Sequence, residues 1–321
     1  MKLSIIIPMY NVEQYVERCL KSCIDQDLSD TDYEIIVVND GSPDNSLKIA
    51  EDISSQCRNM KVINKDNGGL SSARNIGLSY AVGDYIWFID SDDWIESNCL
   101  QSLMKICYDN NLDGLFIQGI RYINGVTTKR SIKGRNINKV MTGQAYMKQC
   151  LLNCAAVKTI TKREIITKYN LSFYEGIYHE DAEYSPRLYY YLNRVLESDN
   201  YVYYNRLVSN SITQSVNPKK GFDMLVVAKN LWDFMNNQIM DDELKKSYYF
   251  LIASDLNASF HNIYIASKSV QKEYILAFIK NKYLLDSYTL TNNYKFKIAG
   301  CLFKLFPSKV IQTYKLLKKL S

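Results

Sequence analysis

The sequence predicts an α/β fold, a doubly wound and mostly parallel sheet followed by a helical C-terminal extension. Three observations predict it. Short apolar runs end in proline or an acid, the stretches between them carry apolar residues at helical spacing, and beyond about residue 215 only the helical period remains. Leu3-Ser4-Ile5-Ile6-Ile7-Pro8-Met9 reads as the first strand, buried on both faces and stopped by proline. Residues 12–26 follow as a helix with Val12, Val16, Cys19, Leu20, Cys23 and Ile24 along one face. Residues 34–40 form a second strand that ends in an acid, and the turn Asp40-Gly41-Ser42-Pro43-Asp44 leads into a helix over 45–57. A short strand at 61–64, the loop Asn67-Gly68-Gly69, a helix over 70–81 and a strand at 85–89 complete the pattern. Further on, acids at 180–183 open a helix through Leu188 and Leu192, and helical periodicity returns over 225–239 and 244–264.

The strand at 85–89 runs straight into Asp90-Ser91-Asp92-Asp93-Trp94. Three carboxylates within four residues repel one another, so their pKa values rise or a divalent cation sits among them. The carboxyl edge of a parallel sheet is where open α/β folds bind ligands, and Asp40 and Asp90 end different strands on that edge. The plain alternative is a solvated acidic turn capping a helix that starts near Ile95.

Five blocks, in order, resemble a family 2 glycosyltransferase with the GT-A (Rossmann-like) fold, of the bacterial group that builds capsular, O-antigen and exopolysaccharide repeats. They are Ser4-Ile5-Ile6-Ile7-Pro8-Met9-Tyr10-Asn11, Val38-Asn39-Asp40-Gly41-Ser42-Pro43-Asp44-Asn45-Ser46, Asn67-Gly68-Gly69-Leu70-Ser71-Ser72-Ala73-Arg74-Asn75-Ile76-Gly77, Phe88-Ile89-Asp90-Ser91-Asp92-Asp93 and Tyr178-His179-Glu180-Asp181-Ala182-Glu183. The resemblance implies that Pro8 and Tyr10 line the nucleotide base, that Asp40 bonds the uracil or its ribose, and that Arg74 lies near the base or the diphosphate. It also implies that Asp90, Ser91 and Asp92 form the Asp-x-Asp motif. Asp92 would ligate Mn2+ or Mg2+, and Asp90 would reach the ribose or the metal and its water. Asp93 is a second ligand or a helix cap. Asp181 falls at the family's base position, with Glu180 and His179 beside it, and Arg206 is a contact for the diphosphate or the acceptor. Each has a structural alternative: an Asx-turn for Asp40, a solvated helix residue for Arg74, a first-turn acid for Asp181.

The family acts with inversion, so one displacement and one base suffice. The Gln-x-x-Arg-Trp block of processive polymerases is missing, and Arg206-Leu207-Val208-Ser209-Asn210-Ser211-Ile212-Thr213 stands in its place, which fits addition of a single sugar. The donor expected is a UDP-sugar and the acceptor a saccharide, commonly carried in such a family on a polyprenyl diphosphate lipid. A non-catalytic nucleotide-sugar-binding protein or a scaffold of a polysaccharide assembly complex is the alternative reading.

Composition sets the rest of the expectations. The chain has 321 residues, 47% of them hydrophobic, enough for a sizeable core. Its 8 cysteines form no Cys-x-x-Cys pair and read as reduced thiols. A first strand at residue 3 leaves no room for a signal peptide, and no run of eighteen apolar residues offers a membrane span. The organisation expected is a transferase domain over 1–215 and a helical region over 216–321. The net charge of +5 is localised: residues 287–321 hold seven of the 39 basic residues and none of the 34 acids, leaving the remainder at 32 − 34 = −2. Lysines alternate with apolar residues over about 294–321, as in an interfacial helix pair on an anionic membrane, with a plain helix packed on the core as the alternative. The expected location is cytoplasmic, at the inner face of the cell membrane. No nucleic-acid-binding pattern accompanies the basic patch.

Overall fold

The structure is a computed structural model in which residues 1–129, 137–149, 155–207 and 217–320 are described. It divides into two compact units. The first comprises Met1–Tyr146, Asn153–Gly176 and Leu188–Ser211, and the second comprises Met147–Leu152, Ile177–Arg187 and Ile212–Ser321. The domain boundary expected at 215 lies outside the described residues, as do Cys150, Cys154 and the segment 208–216.

The first unit holds one nine-stranded sheet. Its strands are β1 (Leu3–Met9), β2 (Tyr33–Asp40), β3 (Met60–Lys65), β4 (Tyr85–Phe88), β5 (Trp94–Ile95), β6 (Gly114–Ile123), β7 (Val126–Lys129), β8 (Thr159–Lys162) and β9 (Val195–Arg206). The order is β3-β2-β1-β4-β8-β6-β9-β5, with β7 paired to β6. β1 runs parallel to both β2 and β4, and every residue of β1 and β2 is buried, which is why these strands read as unbroken apolar runs rather than alternating ones. Ser4 and Glu34 are polar exceptions within these runs, and Asn39 and Asp40 close β2. The Ser4 hydroxyl donates to Glu34 at 2.6 Å and accepts the Gly83 N–H, so neither is left unsatisfied.

The helices of this unit are α1 (Val16–Ile24), α2 (Ser46–Ser54), α3 (Leu70–Tyr80), α4 (Leu100–Asp109), α5 (Gly143–Gln149), which passes into the second unit after Tyr146, and α6 (Arg163–Lys168). α1 buries Val16, Cys19, Leu20 and Cys23, as its spacing predicted. α3 packs on β1 and β2 so closely that a Cβ on Gly77 would lie 2.3 Å from Ile6 Cγ2. α7 (Glu180–Tyr191) begins in the second unit and ends in the first. The second unit continues with α8 (Pro218–Gln238), α9 (Asp242–Tyr264), α10 (Lys268–Lys280), α11 (Asp286–Leu290), α12 (Tyr294–Leu305) and α13 (Val310–Leu320).

One expected element is different. No helix starts near Ile95; Trp94 and Ile95 instead pair antiparallel with Tyr204 and Tyr203 of β9, and the next helix starts at Leu100 behind Cys99. The reason lies in Asp93, whose carboxylate β9 captures, and in Trp94, whose ring stacks on Tyr204 at 5.1 Å. The later strands, β5 to β9, in which β6 and β9 pair parallel and the other pairings are antiparallel, are likewise absent from the sequence pattern.

Candidate active site

The carboxyl ends of β1, β2 and β4 carry the residues singled out from the sequence. Pro8 is buried within β1, and Tyr10, just past the strand, is 49% exposed. Asp40 ends β2 almost fully buried. Its carboxylate accepts the N–H of Gly68 at 2.9 Å and of Gly69 at 2.7 Å and pairs with Lys65 at 2.5 Å. Asp40 therefore clasps the glycine loop that leads into α3, and Gly69 enters that helix at φ +87°, a conformation that suits glycine. The Asx-turn alternative is made by Asn39, whose side chain accepts the Ser42 N–H at 3.3 Å.

Arg74 is not a solvated helix residue. It is 2% exposed on α3 and donates to Asp90 at 2.8 Å, its guanidinium 5.1 Å from the Phe173 ring. Ser91 is buried between the acids. Burial, and then the Asp90 charge, push Asp92 up to about 6. Burial, followed by the charges of Asp92 and Asp90, raises Asp93 well above the usual carboxylate range. Asp93 does not cap a helix. Its oxygens take the Tyr203 hydroxyl at 2.6 Å, the Asn205 amide at 3.1 Å and the Arg206 N–H at 2.7 Å, so it ties the acidic turn to β9. Arg206 Nε donates to the Asp92 carbonyl at 3.0 Å, and its guanidinium lies 4.9 Å from the rings of both Tyr15 and Trp94.

Sequence reasoning missed Lys65, Trp94 and Tyr203. Lys65 becomes relevant only when β3 pairs with β2. Tyr203 had a signal: with Asn205 it sits at the i, i+2 spacing that puts both side chains on one face of a strand, and both reach Asp93.

His179, Glu180 and Asp181 belong to the second unit. His179 has φ +62°, uncommon for a residue other than glycine, and burial lowers its imidazole pKa. Glu180 is buried at the start of α7, and Asp181 Oδ1 accepts the Ala182 N–H at 2.9 Å. Behind this turn stands Asp255 of α9, held well above its ordinary value by burial and then by the Asp181 charge. The preceding loop is tied down where the Tyr178 N–H meets Asp223, itself paired with Lys219 at 2.6 Å.

Among the described residues no three His, Cys, Asp or Glu side chains cluster as a metal cage. Asp90 and Asp92 nonetheless fit Mn2+ or Mg2+. Both ions are commonly held by one or two carboxylates plus substrate phosphates, and Asp92 is a half-buried acid whose ionisation a cation would favour.

A parallel sheet with acids and guanidinium groups at its carboxyl edge defines a ligand-binding α/β protein. Residues 4–169 match the family described as glycosyl transferase family 2, and the chain belongs to that family. It is 37% identical to the uncharacterized glycosyltransferase EpsJ of Bacillus subtilis over 222 residues, which is 66% of this chain and 63% of EpsJ. It is 26% identical over 267 residues to TarS of Staphylococcus aureus, a poly(ribitol-phosphate) beta-N-acetylglucosaminyltransferase, covering 78% of this chain and 45% of TarS. Thus the chain spans less than two thirds of either relative. Its fold matches the crystal structure of TarS 1–349 in complex with UDP-GlcNAc at a TM-score of 0.74, with 23% identity over 99% of this chain and 91% of that one. It also matches the mannosyltransferase PcManGT of Pyrobaculum calidifontis, in complex with GDP-Man and Mn2+, at 0.58, with 13% identity over 95% and 87% of the two chains. The fold is GT-A with C-terminal helices.

Proposed function

We propose that the chain transfers one sugar, with inversion, from a UDP-sugar to a hydroxyl of a saccharide acceptor carried on a polyprenyl diphosphate lipid, in surface polysaccharide biosynthesis at the inner face of the cell membrane. The observation that carries this reading is the acidic turn Asp90-Ser91-Asp92 at the carboxyl end of β4, flanked by Arg74 and Arg206. The UDP-GlcNAc held by TarS and the GDP-Man and Mn2+ held by PcManGT support a nucleotide-sugar and a divalent ion for this chain.

Asp92, with Asp90, would hold Mn2+ or Mg2+, which supplies charge neutralisation for the departing diphosphate. Arg74 fixes Asp90 in place, so one carboxylate of the pair keeps a single orientation. Arg206, braced on aromatic rings, offers a guanidinium to the diphosphate. Pro8 and Tyr10 border the base, and the loop clasped by Asp40 approaches the nucleotide through glycine backbone. Asp181 accepts the proton of the attacking hydroxyl, with Glu180 and His179 setting its surroundings.

The test is release of UDP from a panel of UDP-sugars with Mn2+, with EDTA and with Asp92→Ala. Metal-dependent release from one sugar, lost in the variant, is expected. Tight UDP binding without turnover, even with a lipid-linked acceptor present, would point to the non-catalytic reading.

A further inference from the structure

α12 has two apolar faces where a helix packed on a core needs one. Phe296, Gly300 and Phe303 form the docked side. Phe303 is fully buried against Phe260 and Tyr288, Phe296 meets Phe250 and Tyr288, and a Cβ on Gly300 would lie 2.4 Å from Tyr288 Cβ. At about 100° per residue, Tyr294, Ile298, Leu302 and Leu305 centre about 170° round the helix from that side. They are 67%, 60%, 36% and 68% exposed, and Phe306 extends the row at 53%.

Lysines border this row. Lys295 stands on one edge, with Lys297 and Lys304 on the other, all exposed, and Lys304 is anchored to Asp286 at 2.6 Å. Lys309 follows, exposed, in the next turn. α13 does not share the surface equally. Its Val310 and Ile311 are buried, Tyr314 packs on Phe260 and Tyr264, and Lys318 reaches His261 and Tyr264.

We infer that the outer row of α12 is an interfacial anchor that lies flat on an anionic lipid bilayer, its apolar side chains among the acyl chains and its lysines at the headgroups. An exposed apolar stripe edged by lysines suits that surface. A span is excluded for this helix: twelve residues cover roughly 18 Å against a hydrocarbon core of ~30 Å. A second copy of the chain is the poorer occupant, because a two-fold contact sets each patch against itself and residues 287–321 contain no acid to meet their seven lysines. The sequence pattern suggested a helix pair on the membrane or a helix on the core. In the structure α12 packs inward through one side and presents the other, while α13 packs inward.

This inference deepens the transferase reading by naming the surface that brings the protein to a lipid-borne acceptor, and it rests on that reading only for the choice of membrane face. The full chain is sedimented with vesicles of phosphatidylcholine alone and of phosphatidylcholine with phosphatidylglycerol, in low and high salt, while UDP release from a soluble donor is followed in parallel. Salt-sensitive binding to the anionic vesicles is expected. It should be lost in Ile298→Asp/Leu305→Asp and weakened on the order of a hundredfold in Lys295→Gln/Lys297→Gln/Lys309→Gln, with UDP release unchanged in both. Equal binding to both vesicle types, no binding, or a dimer that Ile298→Asp/Leu305→Asp dissolves would overturn the anchor. Vesicle binding without UDP release would leave the anchor standing and count against the transferase reading.

Discussion

Asp92 sits where burial and a neighbouring charge both oppose ionisation, and its carboxyl is pushed up to about 6 from an ordinary value of 3.8. A folded value above the unfolded one means that Asp92 favours folding fully below about 3.8, and that this contribution is lost as pH rises through about 6. A divalent ion needs the ionised form. Its affinity should therefore fall as pH drops through about 6, and titration calorimetry with Mn2+ across that range would show it; a flat affinity would remove Asp92 from the metal site. Tyr203 makes a second residue-scale case. Its hydroxyl is one of three donors to the buried Asp93, so Tyr203→Phe should cost about 1–3 kcal/mol in denaturant unfolding. A change near zero would mean that Asp93 does not depend on that bond.

At the scale of elements, α3 and β1 touch through Gly77, where an added methyl would collide with Ile6 in the middle of the parallel sheet. Gly77→Ala should destabilise by about 1–3 kcal/mol, read as a drop in melting temperature, because close-packed backbone on one side and a buried strand on the other leave little room to yield. On α9, Asp255 is buried and raised, so its neutral form is the one that suits the fold. Its contribution is present below the ordinary carboxylate value and lost as pH rises through the raised one. Asp255→Asn, neutral at every pH, should match the parent at low pH and exceed it at alkaline pH in chemical unfolding. The reverse order would show that Asp255 is ionised in the fold. β1, β2 and β4 were legible because strands buried on both faces leave continuous apolar runs. β5 was not: two residues carry no period, and their strand character comes from β9, more than a hundred positions away. The acidic turn was legible because its members are sequence neighbours, whereas the clasp of Asp40 by Lys65 and the capture of Asp93 by Tyr203 exist only once the strands are paired.

Over the whole molecule, the second unit is assembled from three stretches of chain. Lys148 pairs with Asp241 at 2.6 Å, the Tyr178 N–H meets Asp223, and the Tyr248 hydroxyl donates to the Pro186 carbonyl at 2.8 Å. A chain truncated after residue 207 loses every one of these partners. Its amides over 180–187 should exchange with solvent far faster than in the full chain, and retained slow exchange would show that α7 needs no support from α8 and α9. No helix among the described residues is long and apolar enough to cross a membrane.

The discontinuous second unit also constrains how relatives of this chain can exchange parts by recombination. A single crossover near residue 212 would carry α8 to α13 from one parent but leave 147–152 and 177–187 with the other. The hybrid would inherit Asp181 and the Asp255 behind it from different ancestors. Faithful inheritance of that unit takes crossovers on both sides of each short insert, so shuffled descendants should carry compensating changes concentrated where α7 meets α9.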